Sequence, residues 1–264
     1  MSGEITSPQN QRIKNAVKLR GRRQRIKQDR IIIDGTREIR RAMEADVKLL
    51  EVFCCRTDMQ TEQHVLVAEL CDRGVEMVDV TSTVFEKLAF GDRNDGIVAV
   101  ASTPTRGLAD LPVNENGLVV VIESIEKPGN VGAVLRTADA AGIDAVIVAE
   151  PVSDLYNPNT IRASLGAVFT VPTCEASNED VLSWLREKQL RILASRVDGE
   201  SDYRNANLLG GVAIVLGAEA TGLSKTWHAD DIEAISLPMN GRVDSLNISV
   251  TAGVLMYDAI RRRN

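Results

Sequence analysis

Aromatic side chains are scarce in this chain: two tryptophans, three tyrosines and four phenylalanines make up 3% of 264 residues. So few rings weigh against recognition of bases on a stacking platform such as the aromatic sheet face of many RNA-binding modules. Histidine is rarer still, with only His64 and His228. A Ser-His-Asp or Cys-His hydrolase would have to use one of these two in unremarkable surroundings, and no Gly-x-Ser-x-Gly elbow is present. The four cysteines, Cys54, Cys55, Cys71 and Cys174, have no Cys-x-x-Cys spacing. They read as reduced, buried thiols, and no ligand set suits zinc, so no metal is expected. No apolar run reaches membrane-spanning length and the N-terminus is polar, so the chain is expected to be cytoplasmic, without membrane span or signal peptide.

The composition that remains is ordinary: 44% hydrophobic and 26% charged residues, enough to bury a real core in one large or two modest domains. The net charge of −6 is unevenly spread. Residues 1–41 carry 12 Lys/Arg against 4 Asp/Glu, a balance of +8, and the remainder carries 19 against 33, a balance of −14. The basic stretch includes Arg12, Lys14, Lys18, Arg20, Arg22, Arg23, Arg25, Lys27 and Arg30. Set against an acidic remainder, it reads as a phosphate-binding arm, the alternative being a solvated helix face.

Strand and helix patterns alternate along the chain. Residues 10–28 predict one basic helix over Ile13, Val17 and Leu19. Strands are expected at 30–34, 49–55, 76–80 and 96–102, with helices at 36–44, 61–72 and 81–90, a small α/β domain over 1–102. Residues 103–117, with Pro104, Pro112, two glycines and two asparagines, read as a linker. The second domain, 118–264, opens on the apolar strand 118–123. A helix follows at 131–141, closed by Gly142, and then a strand at 145–149, a right-handed βαβ unit. After a helix at 181–188 come strands at 191–194, 212–216 and 232–237. Ser245 stands ahead of a final helical pattern that ends in Arg261, Arg262 and Arg263, cations suited to the negative end of the helix dipole. The predicted architecture is a mostly parallel sheet covered by helices on both faces.

Two nucleotide-site readings fail on spacing. Gly129-Asn130-Val131-Gly132 after the first strand is not Gly-x-Gly-x-x-Gly, although Glu150 supplies an acid at the end of the next strand. Gly217 to Gly222 has P-loop glycine spacing, but Leu223 replaces the phosphate-binding lysine. Arg136 is unusual in a helix otherwise small and apolar, either a snorkelling surface residue or a functional one. Arg162 and Ser164 form a second polar cluster, read by composition as a loop ahead of an apolar strand.

Three segments taken together resemble a known family. Asn130-Val131-Gly132-Ala133-Val134-Leu135-Arg136-Thr137-Ala138-Asp139 is similar to the first motif of the SpoU (TrmH-like) RNA ribose 2'-O-methyltransferases. Arg162-Ala163-Ser164-Leu165-Gly166-Ala167 resembles the second. Leu216-Gly217-Ala218-Glu219, Leu237-Pro238-Met239 and Ser245-Leu246-Asn247-Ile248-Ser249-Val250 resemble the third. The resemblance spans 118–262. Residues 1–102, with Ile31-Ile32-Ile33-Asp34-Gly35 and Gly96-Ile97-Val98-Ala99, look more loosely like the substrate-binding domain that precedes it in many members. One departure is Ala220, where a glycine usually follows the motif's glutamate; its methyl narrows the backbone choices there.

The resemblance implies a knotted α/β domain of the SPOUT class and a homodimer through the catalytic domain. It implies S-adenosylmethionine held by backbone groups at Gly217, Leu237 and Leu246. Arg136 is the implied catalytic residue, and Asn130, Glu219, Ser245 and Asn247 would orient ribose, arginine and cofactor. An arginine is normally fully protonated, so a clamp on phosphate and ribose suits Arg136 better than the part of a lone base. Arg162, Ser164, Arg20, Arg22, Arg23 and Arg25 are the expected RNA contacts. Ribosomal RNA is favoured over transfer RNA as substrate. The competing reading is a catalytically silent RNA-binding or assembly protein on the same fold.

Overall fold

The computed structural model describes residues 3–90 and 95–264. It divides into two compact units, Met1–Pro104 with Tyr156–Thr170, and Thr105–Leu155 with Val171–Asn264. The chain begins with α1 (Gln11–Lys18), α2 (Arg22–Gln28), β1 (Arg30–Asp34), α3 (Thr36–Glu44), β2 (Leu49–Cys54), α4 (Thr61–Asp72), β3 (Glu76–Asp79), α5 (Ser82–Leu88) and β4 (Ile97–Ser102). It continues with β5 (Leu118–Glu123), α6 (Pro128–Ala141), β6 (Ala145–Ala149), α7 (Pro158–Ala163), α8 (Ala167–Thr170), β7 (Thr173–Ala176) and α9 (Asn178–Glu187). The last elements are β8 (Arg191–Ser195), β9 (Ser201–Asp202), β10 (Val212–Leu216), β11 (Ile232–Ser236) and α10 (Ile248–Arg263).

The first unit is built on a four-stranded sheet in the order β1-β4-β2-β3, with β4 antiparallel to both neighbours and β2 parallel to β3. Its core joins Ile32, Phe53, Val78, Phe85, Leu88 and Val98 to Ile13, Ala16 and Leu19. The basic stretch is therefore not a free arm: α1 is a wall of this core. It is also not one helix. Gly21 breaks it, and Arg25 is folded back as a buried clamp, 4% exposed, with Nη1 donating to the carbonyls of Leu19 at 2.8 Å and Arg20 at 2.7 Å. Those carbonyls close α1 and would otherwise lack partners.

The segment 156–170, expected as a loop and apolar strand within the second domain, forms α7 and α8 and packs with the first unit. Asn157 caps α7 by accepting from Asn159 N at 2.9 Å, with Pro158 at the first helical position, a start signal that composition alone obscured. The strand that follows is β7, past Pro172.

The second unit is a seven-stranded sheet, β7-β6-β5-β10-β8-β11-β9, in which every neighbouring pair is parallel. β5, β6 and β10 are buried along their whole length, which is why they read as continuous apolar runs. The strands expected at 118–123, 145–149, 191–194, 212–216 and 232–237 are found in that order, joined by β7 and by the unexpected β9, and two helix boundaries shift in ways that matter for the site. α6 starts at Pro128, so Asn130 lies in its first turn. α10 starts at Ile248 and is capped by Asn247, whose Oδ1 accepts from Ser249 N at 2.9 Å; Ser245 lies outside the helix. The terminal arginines do more than face a dipole. Arg262 donates to the carbonyls of Ala206 and Arg204, and Arg263 to those of Leu208, Gly210 and Asn116.

Three cysteines are buried as expected, but Cys71 is exposed near the end of α4. Burial pushes the Cys54 thiol up to about 12 and the Cys174 thiol up to about 11, so neither is a nucleophile. No described helix is long and apolar enough to cross a membrane.

Asp34, at the end of β1, is 8% exposed. Burial pushes its carboxyl up to about 6, opposed by a hydrogen bond from Phe90 N at 2.8 Å. The charges of Asp95 and Glu38 raise it further and that of Arg162 lowers it. The folded chain thus holds a proton that the unfolded chain has lost between about pH 4 and about 6. This group's contribution to stability is greatest below that window and is lost as pH rises through it. Asp34→Asn, which keeps an acceptor for Phe90, is expected to exceed the parent in stability at pH 7 by on the order of 2 kcal/mol. The difference should shrink toward pH 4 in urea unfolding followed against pH; a difference independent of pH contradicts this.

Candidate functional site

Three loops of the second unit, each at the C-terminal end of a strand, converge on one carboxylate. Glu219 follows β10, and its Oε1 accepts from Asn130 Nδ2 at 2.9 Å and Asn247 Nδ2 at 2.7 Å, with Ile248 N at 3.5 Å. Lys127 Nζ stands 3.6 Å from Oε2. Asn247 also reaches Asn130 Oδ1 at 3.3 Å, while its own Oδ1 caps α10 and accepts from Ser249 Oγ at 2.6 Å. One oxygen thus gathers residues 89 and 28 positions apart in the sequence. The donors engaging Oε1 leave it little freedom to act as a proton acceptor. Glu219 is a hub that sets the other two side chains.

The loop bearing Glu219 is shaped by a close backbone approach at Gly217. A Cβ there would lie 2.3 Å from Gly222 C and 2.5 Å from Leu223 N. Gly222 N closes the loop on Ala218 O at 2.9 Å, with Gly222 at φ +66°. Ala220 is exposed and has no positive φ, so the methyl at this departure from the family pattern meets no backbone strain. A second anchor lies beneath. Glu123, at the end of β5 and 2% exposed, accepts from Ser224 N at 2.8 Å through Oε2 and from Asn178 Nδ2 through Oε1. It joins the far end of the 217–224 loop to the start of α9.

Arg136 is exposed on α6, six residues beyond Asn130, and its side chain makes no hydrogen bond or ion pair among the described residues. That is roughly 9 Å along a helix. Within one chain it is not drawn into the Glu219 cluster. Leu237, Leu246 and Ser245 lie in the segment after β11. Across residues 239–246 no hydrogen bond between main-chain groups forms among the described residues. Beside this segment α10 exposes Val250, Val254 and Tyr257, at i, i+4 and i+7, with Leu246 just before them.

The residues expected to contact RNA fare unevenly, and all belong to the first unit. Ser164 is fully buried, donating to Ile161 O at 2.9 Å, and so is removed from any surface. Arg25 is the buried clamp already described. Arg20 is half-buried, its Nη2 donating to the carbonyls of Lys87, Leu88 and Ala89 while the guanidinium lies over the Phe90 ring at 5.4 Å. Desolvation lowers its pKa, opposed by Asp34. Ser164 is thus buried within the unit, and Arg20 and Arg25 direct guanidinium donors to main-chain carbonyls. Arg162, half-buried, donates to Phe90 O at 3.1 Å. Arg22 and Arg23 are exposed on α2. Lys127 and Glu123 were not singled out by sequence. The available signals were a cation three residues before Asn130 and an acid ending an otherwise apolar strand.

Residues 117–257 match the model of the SpoU rRNA Methylase family, and residues 10–99 that of the MRM3-like substrate binding domain. The 23S rRNA (guanosine-2'-O-)-methyltransferase RlmB of Haemophilus ducreyi is 30% identical over 227 residues, covering 83% of this chain and 92% of that protein. A crystal structure described as an RNA 2'-O ribose methyltransferase is 39% identical and superposes with a TM-score of 0.86 over 98% of this chain and 99% of that one. The AdoMet-bound rRNA methyltransferase from Sinorhizobium meliloti is 25% identical, with a TM-score of 0.90 and 98% of each chain covered.

Because a side chain at 217 would meet backbone atoms, the loop cannot yield as it would to a flexible neighbour. Gly217→Ala is expected to cost about 1–3 kcal/mol in urea unfolding. An unchanged midpoint would mean that the 217–222 approach does not shape the loop.

Proposed function

From the chain's membership of the SpoU rRNA methylase family and the Asn130–Glu219–Asn247 cluster, we propose that it transfers a methyl group from S-adenosylmethionine to a ribose 2'-hydroxyl of ribosomal RNA. The observation that carries this reading is the cluster itself, because it joins two of the three family-like motifs through one carboxylate. The cofactor fits the residues present. The backbone groups of 239–246, which make no main-chain hydrogen bond among the described residues, and the close approach at Gly217 suit short-range polar contacts to a small polar ligand. Gly217, Leu237 and Leu246 would hold it.

When bound, the cofactor supplies a methyl group already activated on a sulfonium sulfur. A ribose hydroxyl is a poor nucleophile near neutral pH, so the protein's task is to align the hydroxyl oxygen with that methyl and to ease loss of its proton. Arg136, a guanidinium that its own chain leaves unpaired among the described residues, clamps the RNA phosphate and ribose. It stabilises charge as the oxygen loses its proton, with an RNA phosphate as the acceptor. Glu219 fixes the amides of Asn130 and Asn247, which with Ser245 set the position of the ribose.

The finer architecture follows the same reading. The final segment, from 237 through α10, threads a loop to make the knot of the SPOUT class. The exposed stripe Leu246, Val250, Val254 and Tyr257 is the face by which two copies pair, burying apolar area that a lone chain leaves in water. Pairing places Arg136 of one copy within reach of the other's cluster, which accounts for its lack of a partner in a single chain. The protein acts in the cytoplasm.

Arg136→Ala is expected to lower methyl transfer to rRNA at least a hundredfold while leaving the dissociation constant for S-adenosylmethionine, by calorimetry, within about threefold. A full rate in the variant contradicts the role given to Arg136. Val254→Arg, which sets a charge in the apolar stripe, is expected to convert the dimer to monomer in sedimentation velocity; an unaltered sedimentation coefficient contradicts the assignment of that face.

A further inference from the structure

The short helix α2 is inside out. In its sequence Arg-Arg-Gln-Arg-Ile-Lys-Gln the one apolar residue, Ile26, is 71% exposed, while Arg25 beside it is 4% exposed. Burying an isoleucine is favourable and burying an arginine costly, so rotation of the helix by one residue would be the ordinary outcome. The buried arginine has a structural cause, since its Nη1 holds the carbonyls of Leu19 and Arg20 that end α1. No core cluster among the described residues includes the exposed isoleucine. At about 100° per residue Ile26 lies between Arg22 and Arg23 in projection, with Lys27 beyond Arg23, so the solvent face reads Arg22, Ile26, Arg23, Lys27. All four are exposed and the helix contains no acid; the nearest, Asp29, ends it in the left-handed region at φ 49°.

We propose that the solvent face of α2 is an RNA contact surface in which Ile26 packs against an unstacked base or its sugar while Arg22, Arg23 and Lys27 hold the adjoining phosphates. This rests on the reading of the chain as an RNA methyltransferase. An apolar side chain set among cations matches a polyanion that also offers apolar faces, and RNA offers them where its bases are splayed from the helix. Aliphatic side chains engage nucleic acid in this way where no ring is available, and rings are scarce in this chain, at 3%. Arg20, Arg25 and Ser164, by contrast, direct polar groups to main-chain carbonyls within the unit.

The test is the affinity of the full chain for deproteinised 23S rRNA across a potassium chloride series, with methyl transfer to that RNA measured on the same preparations. Ile26→Ala removes an exposed side chain, so the variant folds. It is expected to weaken binding about three- to tenfold at every salt concentration without changing the slope of log affinity against log salt. The triple change Arg22→Gln, Arg23→Gln, Lys27→Gln is expected to weaken binding and to lower that slope by about two. Unchanged affinity for Ile26→Ala, or an unchanged slope for the triple variant, overturns the proposal. So does a change in sedimentation coefficient for Ile26→Ala, which would make the face a contact between copies. If the variants behave as expected but the parent transfers no methyl group, the RNA surface stands and the methyltransferase reading falls. If the parent transfers methyl and Ile26→Ala binds like it, only the surface is lost.

Discussion

A single carboxylate oxygen, Glu219 Oε1, is the point on which the second unit's polar chemistry depends. The amides of Asn130 and Asn247 both donate to it, one from the first turn of α6 and one from the cap of α10. An amide cap that also donates to a fixed acceptor cannot rotate freely, so the start of α10 is tied to the loop after β10. The parallel sheet makes this possible. In such a sheet the strands' C-terminal ends lie on one side, and the loops after β5, β10 and β11 open there. Close backbone approach at Gly217 and the buried acid Glu123 then hold the hub's own loop at both ends.

Arginines in this chain divide by what their donors touch. Arg20, Arg25, Arg262 and Arg263 spend guanidinium N–H groups on main-chain carbonyls at the ends of helices or in loops. Several donors in a fixed planar fork allow one side chain to satisfy two or three carbonyls that regular structure leaves open. Donors engaged in this way contribute to architecture and are not free for a direct contact with a phosphate. Arg23 and Arg136, by contrast, are exposed and donate to no main-chain carbonyl among the described residues. A balance of +8 over residues 1–41 therefore overstates the cations available to a polyanion.

Much of the fold was legible because buried parallel strands write themselves as continuous apolar runs. Leu118–Glu123, Ala145–Ala149 and Val212–Leu216 were placed from that signal alone. What failed depended on contacts between residues distant in sequence or on side-chain direction. Residues 10–28 have helical periodicity throughout, and the break at Gly21 is held by the return of Arg25 to the carbonyls of Leu19 and Arg20. Residues 158–170 carry a capped helix start at Asn157-Pro158, but their mixture of polar and small residues resembles a loop. Asn130, Glu219 and Asn247 could be chosen from their motifs, whereas their convergence on one oxygen, and Lys127 beside it, required coordinates. Burial of Ser164 was equally invisible, since a serine in a motif reads the same whether its hydroxyl faces ligand or backbone.

The central claim is that this arrangement delivers a methyl group to a sugar oxygen and not to a base. The most direct measurement incubates the protein with radiolabelled S-adenosylmethionine and 23S rRNA transcribed without modifications, followed by complete alkaline hydrolysis. A 2'-O-methyl group blocks attack on the neighbouring phosphate, so the account predicts label in an alkali-resistant dinucleotide from one position. Label recovered in mononucleotides, or no incorporation by correctly folded protein, would contradict it.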